Sequence, residues 1–311
     1  MAKDDSLRQR KTPHQRDAHG ATGAGVKPFK FDQAAMLKKL ITISITFAFV
    51  RFVLIPFLMG PKDYDRFVGK DAITGKAVYM VPCSKDYESE EFEECKPKEC
   101  RRVVRDDLVS LSDAQHLLGV AKRGLSLGGS LGGASILDIH SGALSMGEKF
   151  VNIYKLLESM EEEIFSAEDF EVYRRVKGQI HNAIAEEFGI PKDKLYLTKP
   201  TFFSRMNMTP PKTIHDEYWH PHVDKETYGS FHYTSLLYLT TYQQDFDGGR
   251  FVFIDKKSNK TVEPRIGRVS FFTSGSENVH FVERLKDGTR YAITISFSCN
   301  PEHAIADPTL K

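Results

Sequence analysis

After Lys194 the chain alternates apolar and polar positions with period two. KLYLTKPTFFSRM, FHYTSLLYLTTY, GRFVFID, GRVSFFT, NVHFVERL and RYAITISFS read as short, aromatic-rich strands separated by Gly, Asp and Asn turns. Upstream the period is helical. Ser110 to Gly124 predicts one helix, with Ser112 as N-cap and Leu117, Leu118, Val120 and Ala121 turned inward. Ala167 to Phe188 predicts a longer one, because Phe170, Tyr173, Val176, Ile180, Ile184 and Phe188 recur at helical spacing and Gly189 and Pro191 close it. Between them, GLSLGGSLGGASILDIHSGALSMG lacks the preceding strand and the Lys-Ser/Thr ending of a phosphate loop, and reads as a mobile loop carrying an ordinary histidine, His140. Helices first and strands later predict an α+β fold whose last third is a jelly roll or barrel.

One segment is apolar on every side. Leu40 to Met59 reads LITISITFAFVRFVLIPFLM, with Arg51 as its one charge. Its Leu, Ile, Val and Phe residues favour bilayer insertion by about 4–8 kcal/mol, against about 2.5–3.5 kcal/mol for one central arginine. The pattern predicts a transmembrane helix over residues 40–60 that contacts the lipid bilayer. Nine positive residues against four negative ones leave +5 on residues 1–39, which read as a disordered, basic, cytoplasmic tail. The expectation is an uncleaved signal anchor and a single-pass type II membrane protein of the secretory pathway, in the endoplasmic reticulum, with its catalytic domain lumenal.

The rest of the 311 residues then divides into a polar, charged stem (61–107), a helical support region (108–194) and the strand-rich core (195–311). A net charge of +1 gives no reason to expect nucleic acid. Cys83, Cys95, Cys100 and Cys299 form an even set, which in an oxidising lumen predicts two disulfides with three possible pairings. A zinc site lacks the paired C-x-x-C spacing it needs. Asn207-Met208-Thr209 and Asn259-Lys260-Thr261 are glycosylation sequons, the first followed by Pro210.

Candidate chemistry concentrates in HPHVDKETYGSFHYTSLLYL, His220 to Leu239. In an extended chain, His222 and Asp224 fall on one face and are able to grip one ion. His220 and His232 read as a turn residue and a strand surface residue, and Tyr218 and Trp219 as candidates for a substrate mouth. Downstream, His280 supplies a third ligand. Two histidines and a carboxylate leave open coordination positions, the set that suits non-haem Fe(II) oxygenases. Arg290, ten residues later, would point into the barrel with Ala292 and Thr294, and a guanidinium there needs an anion such as a carboxylate. Tyr238 is a candidate to add a phenol to that carboxylate.

The order His222-Val223-Asp224, Tyr238-Leu239, Gly248-Gly249, His280 and Gly288-Thr289-Arg290-Tyr291-Ala292-Ile293-Thr294 resembles the prolyl-4-hydroxylase type of Fe(II)/2-oxoglutarate dioxygenases, over roughly Leu108 to Asn300. The resemblance implies a double-stranded β-helix (jelly roll), iron on His222, Asp224 and His280, and 2-oxoglutarate on Arg290. It also implies L-ascorbate as iron reductant, 2-oxoglutarate and O2 as co-substrates, and hydroxylation of an unidentified substrate, a protein among the candidates, with release of succinate and CO2. Collagen-modifying members carry lysine where Arg290 stands, so the resemblance does not extend to the substrate. Two other readings remain open: a non-catalytic jelly-roll protein that binds metal for structure or interaction, and a cupin-like metalloenzyme without 2-oxoglutarate.

Overall fold

The structure, a computed structural model, describes residues 33–54, 64–213 and 216–309. The chain falls into two units divided after residue 62. The first contains one helix, α1 (Gln33–Phe49), followed by a π-helical turn over Val50–Leu54. No residue of either is buried, and Ile43, Ile45, Phe47 and Phe52 are strongly exposed. The expected transmembrane helix over 40–60 is not found as such. Helical structure begins earlier, at Gln33, and so includes Lys38 and Lys39, while the α-helical hydrogen bonding ends at Phe49. No helix among the described residues is long and apolar enough to cross a membrane. Residues 55–60 of the expected span and 1–32 of the basic tail lie outside the described residues.

In the second unit, residues 64–107, expected as a stem, instead enter the sheets. β1 (Asp65–Val68), β2 (Lys76–Val81) and β3 (Cys100–Arg105) each pair with another strand. The reason is local: Val68, Val103 and Val104 are apolar residues of high β-propensity and all are buried. Two disulfides fix this segment, Cys83 to Cys100 and Cys95 to Cys299, which selects one of the three possible pairings.

The cap of helix α2 (Leu111–Ser126) lies two residues before the expected one. Ser110, not Ser112, accepts the hydrogen bond from the Asp113 amide. The glycine-rich stretch that follows is sheet, not mobile loop: β4 (Gly129–Ser130), β5 (Ala134–Leu137), β6 (Ala143–Gly147) and β7 (Lys149–Asn152). Its apolar members explain this, since Leu137, Ile139 and Leu144 are buried against the helical layer. After the short helix α3 (Ile153–Met160) comes α4 (Ala167–Phe188), with the expected bounds. Ser166 and Asp169 close it with a capping box, and Gly189 ends it in the left-handed region, φ 67°.

The strands of the last third are β8 (Tyr196–Met206), β9 (Tyr233–Tyr238), β10 (Phe246–Gly248), β11 (Phe251–Phe253), β12 (Lys260–Val262), β13 (Val269–Thr273), β14 (His280–Val282), β15 (Leu285–Gly288) and β16 (Arg290–Ser298); helix α5 (Asp224–Tyr228) separates the first two. They build a main sheet in the order β2-β3-β13-β9-β16-β8-β5-β6-β4, with β7 also on β6, and a smaller sheet β1-β12-β11-β14. Period-two alternation divides the main sheet's side chains between two cores. Val103, Leu237, Phe271 and Ile293 pack on helices α2 and α4 with Leu117, Val176 and Ile180. Their chain neighbours Val104, Leu236, Phe272 and Ala292 face the smaller sheet and meet Phe251, Phe253, Val262 and Val282. Each such side chain, fully buried, stabilises by roughly 1.5–3 kcal/mol. The result is the expected α+β arrangement, a sheet-rich fold of two facing sheets with a helical lead-in.

Candidate active site

His222 and His280 face one another across an isolated antiparallel bridge. Each backbone amide donates to the other's carbonyl at 3.0 Å, and the ring centroids lie 4.4 Å apart. Asp224 is not on the same extended run, as the H-x-D spacing suggested. It opens helix α5, and the strand-to-helix turn at Val223 brings its carboxylate back beside both rings. Asp224 Oδ1 lies 3.6 Å from Nε2 of His222 and 3.6 Å from Nε2 of His280. The three ligand atoms all lie within 4.8 Å of one another, the one such His/Cys/Asp/Glu group among the described residues.

Hydrogen bonds on the outer side decide which atoms point inward. His222 Nδ1 meets the His220 carbonyl at 3.0 Å and His280 Nδ1 meets the Asn278 carbonyl at 2.8 Å, so each Nδ1 carries the proton and each Nε2 presents its lone pair. The tautomers follow from these partners. Thr234 Oγ1 donates to Asp224 Oδ2 at 2.6 Å, which leaves Oδ1 facing the imidazoles. Burial pushes the His280 imidazole down to about 4, against the opposing pull of Asp224, so it is neutral near pH 7. Phe251 stacks on it at 4.8 Å, and Phe272 lies 5.2 Å away. A buried carboxylate facing two imidazole lone pairs is an arrangement of acceptors, and a cation between them relieves their repulsion. The residues fit a divalent metal with two nitrogen ligands and one oxygen ligand.

Arg290 lines a cavity that Glu148, Lys149 and Asp216 also line. It is fully buried, and its Nε and Nη2 have no hydrogen-bond partner; Nη1 reaches only the Met206 sulfur, at 3.7 Å. Burial pushes its pKa below the ordinary arginine value, opposed by Tyr238 and Tyr218. Its guanidinium and His222 open onto the same cavity of about 350 Å³, whose walls include Phe202, Met206, Tyr218, Leu236 and Val282. An orphaned buried fork of donors in a largely apolar cavity fits a carboxylate.

The other residues singled out from the sequence fall as follows. The Tyr238 phenol does not face the cavity; it bonds Ser270 Oγ at 3.1 Å while the ring lies beside Arg290. Its expected role toward the carboxylate is therefore not the one this geometry offers. Gly248 and Gly249 both have positive φ, 70° and 61°, and a Cβ on Gly248 would meet the Arg284 carbonyl at 2.3 Å, so the pair makes the turn into β11 beneath His280. Tyr218 lines the cavity, whereas Trp219 packs under Arg284 at 3.8 Å. His232, expected on the surface, is buried, with Nε2 3.1 Å from Glu90. His140 bonds Tyr173. Asn207 follows β8 and accepts from the Thr209 amide through Oδ1, and Asn259 precedes β12; both are half-buried. Sequence reasoning missed Thr234, although its position ten residues after Asp224 on a predicted strand was visible.

Comparison with known proteins agrees with this geometry. Residues 208–298 match the family described as the 2OG-Fe(II) oxygenase superfamily. The chain is 61% identical over 241 residues to 2-oxoglutarate and iron-dependent oxygenase domain-containing protein 3 of Xenopus tropicalis, covering 77% of this chain and 76% of that one. The chain belongs to the 2-oxoglutarate and iron-dependent oxygenases. The human protein of the same description is 61% identical over 239 residues, covering 76% and 75% of the two chains. As a member of this family the chain is a 2-oxoglutarate-dependent oxygenase, and the family implies Fe(II), 2-oxoglutarate and O2. A more distant oxygenase relative, human prolyl 3-hydroxylase 1, is 27% identical over 227 residues, 67% of this chain and 30% of that protein. Among solved structures, a viral collagen prolyl hydroxylase from Paramecium Bursaria Chlorella virus-1 aligns over 66% of this chain and 96% of its own, with TM-score 0.43 and 15% identity.

Proposed function

We propose that this oxygenase hydroxylates an unidentified substrate, a protein side chain among the candidates, with His222, Asp224 and His280 holding Fe(II) and Arg290 anchoring 2-oxoglutarate. The observation that carries the reading is an inward-facing ligand triad whose His222 shares a cavity with the orphaned guanidinium of Arg290. Bound iron supplies activation of O2, so that one oxygen atom goes to the substrate C–H and the other converts 2-oxoglutarate to succinate and CO2. The chain's own part is to position and to exclude water. Thr234 and the two carbonyls fix the ligands, and Arg290 neutralises a carboxylate. Ascorbate is the proposed reductant of iron.

The same proposal includes a membrane-associated, lumenal setting in the secretory pathway, in the endoplasmic reticulum. What supports it is the unburied apolar surface of α1, which suits lipid, and two cystines, which suit an oxidising compartment. Glycosylation at Asn259 and Asn207 belongs to this reading. Protease treatment of sealed microsomes tests it: residues 64–309 should be protected, and their digestion in intact vesicles would sink it.

The activity is tested by anaerobic titration with Fe(II) and then 2-oxoglutarate. A visible charge-transfer band is expected in the wild type and lost in His222→Ala. A folded protein that binds metal yet gives no band would favour a non-catalytic metal-binding protein.

A further inference from the structure

We propose that Arg102, on β3, is a positioning residue for the metal centre, acting through Asn278 on His280. It lies far outside the matched residues 208–298, in the segment that reads from sequence as a stem.

Arg102 is buried, and its donors are used in one direction. Nη1 and Nη2 grip Asp255 at 2.8 and 2.7 Å, Nε donates to Asn278 Oδ1 at 2.7 Å, and Nη2 also reaches the Glu277 carbonyl at 3.2 Å. The Asn278 amide nitrogen is held in turn by the Thr273 carbonyl at 2.8 Å and Thr273 Oγ1 at 3.1 Å. This short turn, Ser276–Asn278, is thereby clamped on both sides. Its last carbonyl is the group that accepts from His280 Nδ1 and leaves Nε2 free for the ion. The guanidinium also lies 4.1 Å from the Phe253 ring, and Phe253 is the strand partner of His280. One side chain thus braces the turn before the ligand and the strand beside it.

An arginine is required for this, because a planar fork satisfies Asp255 with two nitrogens and still aims Nε at Asn278. A lysine keeps the charge for Asp255 and loses the link to Asn278. A merely structural ion pair would tie β3 to the Asp255 loop and leave metal affinity untouched. A positioning residue changes metal affinity in a folded protein, because outer partners of a ligating histidine set its tautomer and orientation.

The inference rests on the assignment of the metal triad, and the experiment separates the two. Co(II) is titrated anaerobically, by its visible absorption, into the full chain as wild type, Arg102→Lys, Asn278→Ala, the Arg102→Met/Asp255→Asn double variant and the control Arg123→Met. Arg123 pairs with Asp169 on α4, in the helical layer and away from the ligands. Folding is checked by circular dichroism. We expect affinity to fall roughly 10–100-fold in Arg102→Lys, in Asn278→Ala and in the Arg102→Met/Asp255→Asn double variant, with the control unchanged. Wild-type affinity in folded Arg102→Lys would overturn the proposal, whether or not the double variant folds. No Co(II) binding by the wild type would overturn the metal triad and this inference with it.

Discussion

The guanidinium carbon of Arg290 lies 5.5 Å from the ring centroid of Tyr238, yet the two side chains do not hydrogen-bond each other: the phenol is taken by Ser270, and two guanidinium nitrogens have no partner. A buried unpaired cation is destabilising until an anion meets it. Arg290→Met should therefore leave the metal-free protein as stable as the wild type or more stable by about 1–3 kcal/mol, while abolishing 2-oxoglutarate binding and sparing Co(II). Tyr238→Phe should weaken 2-oxoglutarate less than tenfold. Thermal melts and calorimetric titration check both, and retained 2-oxoglutarate binding in Arg290→Met would remove Arg290 as the anchor.

Thr234 holds Asp224 Oδ2 and in turn contacts Ser274 Oγ at 2.8 Å. Thr234→Val keeps the shape and removes the donor. The expected result is a loss of roughly 10–100-fold in metal affinity, measured by Co(II) titration. Unchanged affinity would show that α5 alone orients the carboxylate.

Glu90 is half-buried, with its side chain covered at the back of α5, where Lys225 and His232 both contact its carboxylate. Burial raises its pKa, but the hydrogen bonds from His232 and Lys225 outweigh burial and hold it well below the usual 4.5. A depressed folded-state pKa contributes stability that is present above the ordinary glutamate value and lost as pH falls below it. Melting temperature against pH should therefore decline more steeply below pH 4.5 in the wild type than in Glu90→Gln. Parallel curves would mean the contact does not contribute.

The Cys95 to Cys299 bond spans 204 residues and ties the turn after Glu90 to the end of β16. Cutting so long a loop should cost about 2–5 kcal/mol, read as a lowered melting temperature of Cys95→Ser/Cys299→Ser or of the reduced wild type. A midpoint unmoved by reduction would contradict this.

The sequence by itself determined much of this protein. Period-two runs placed the core strands and helical spacing placed α4, because both signals are carried by neighbours along the chain. The residues His222, Asp224, His280 and Arg290 were legible as a set by residue type and order, and the structure brings the first three together and opens Arg290 onto the same cavity. The rest depended on contacts that no local pattern encodes. The supposed stem became β1, β2 and β3 because β1 and β3 found partner strands, β12 and β13, far along the chain and β2 paired with β3, and the glycine-rich loop became sheet because β8 offered an edge. Tyr238 turned to Ser270, and His232 was buried by Glu90. Only the tertiary structure decided these, since hydrogen bonds and ion pairs between distant segments are chosen by what folding brings within reach, not by sequence spacing.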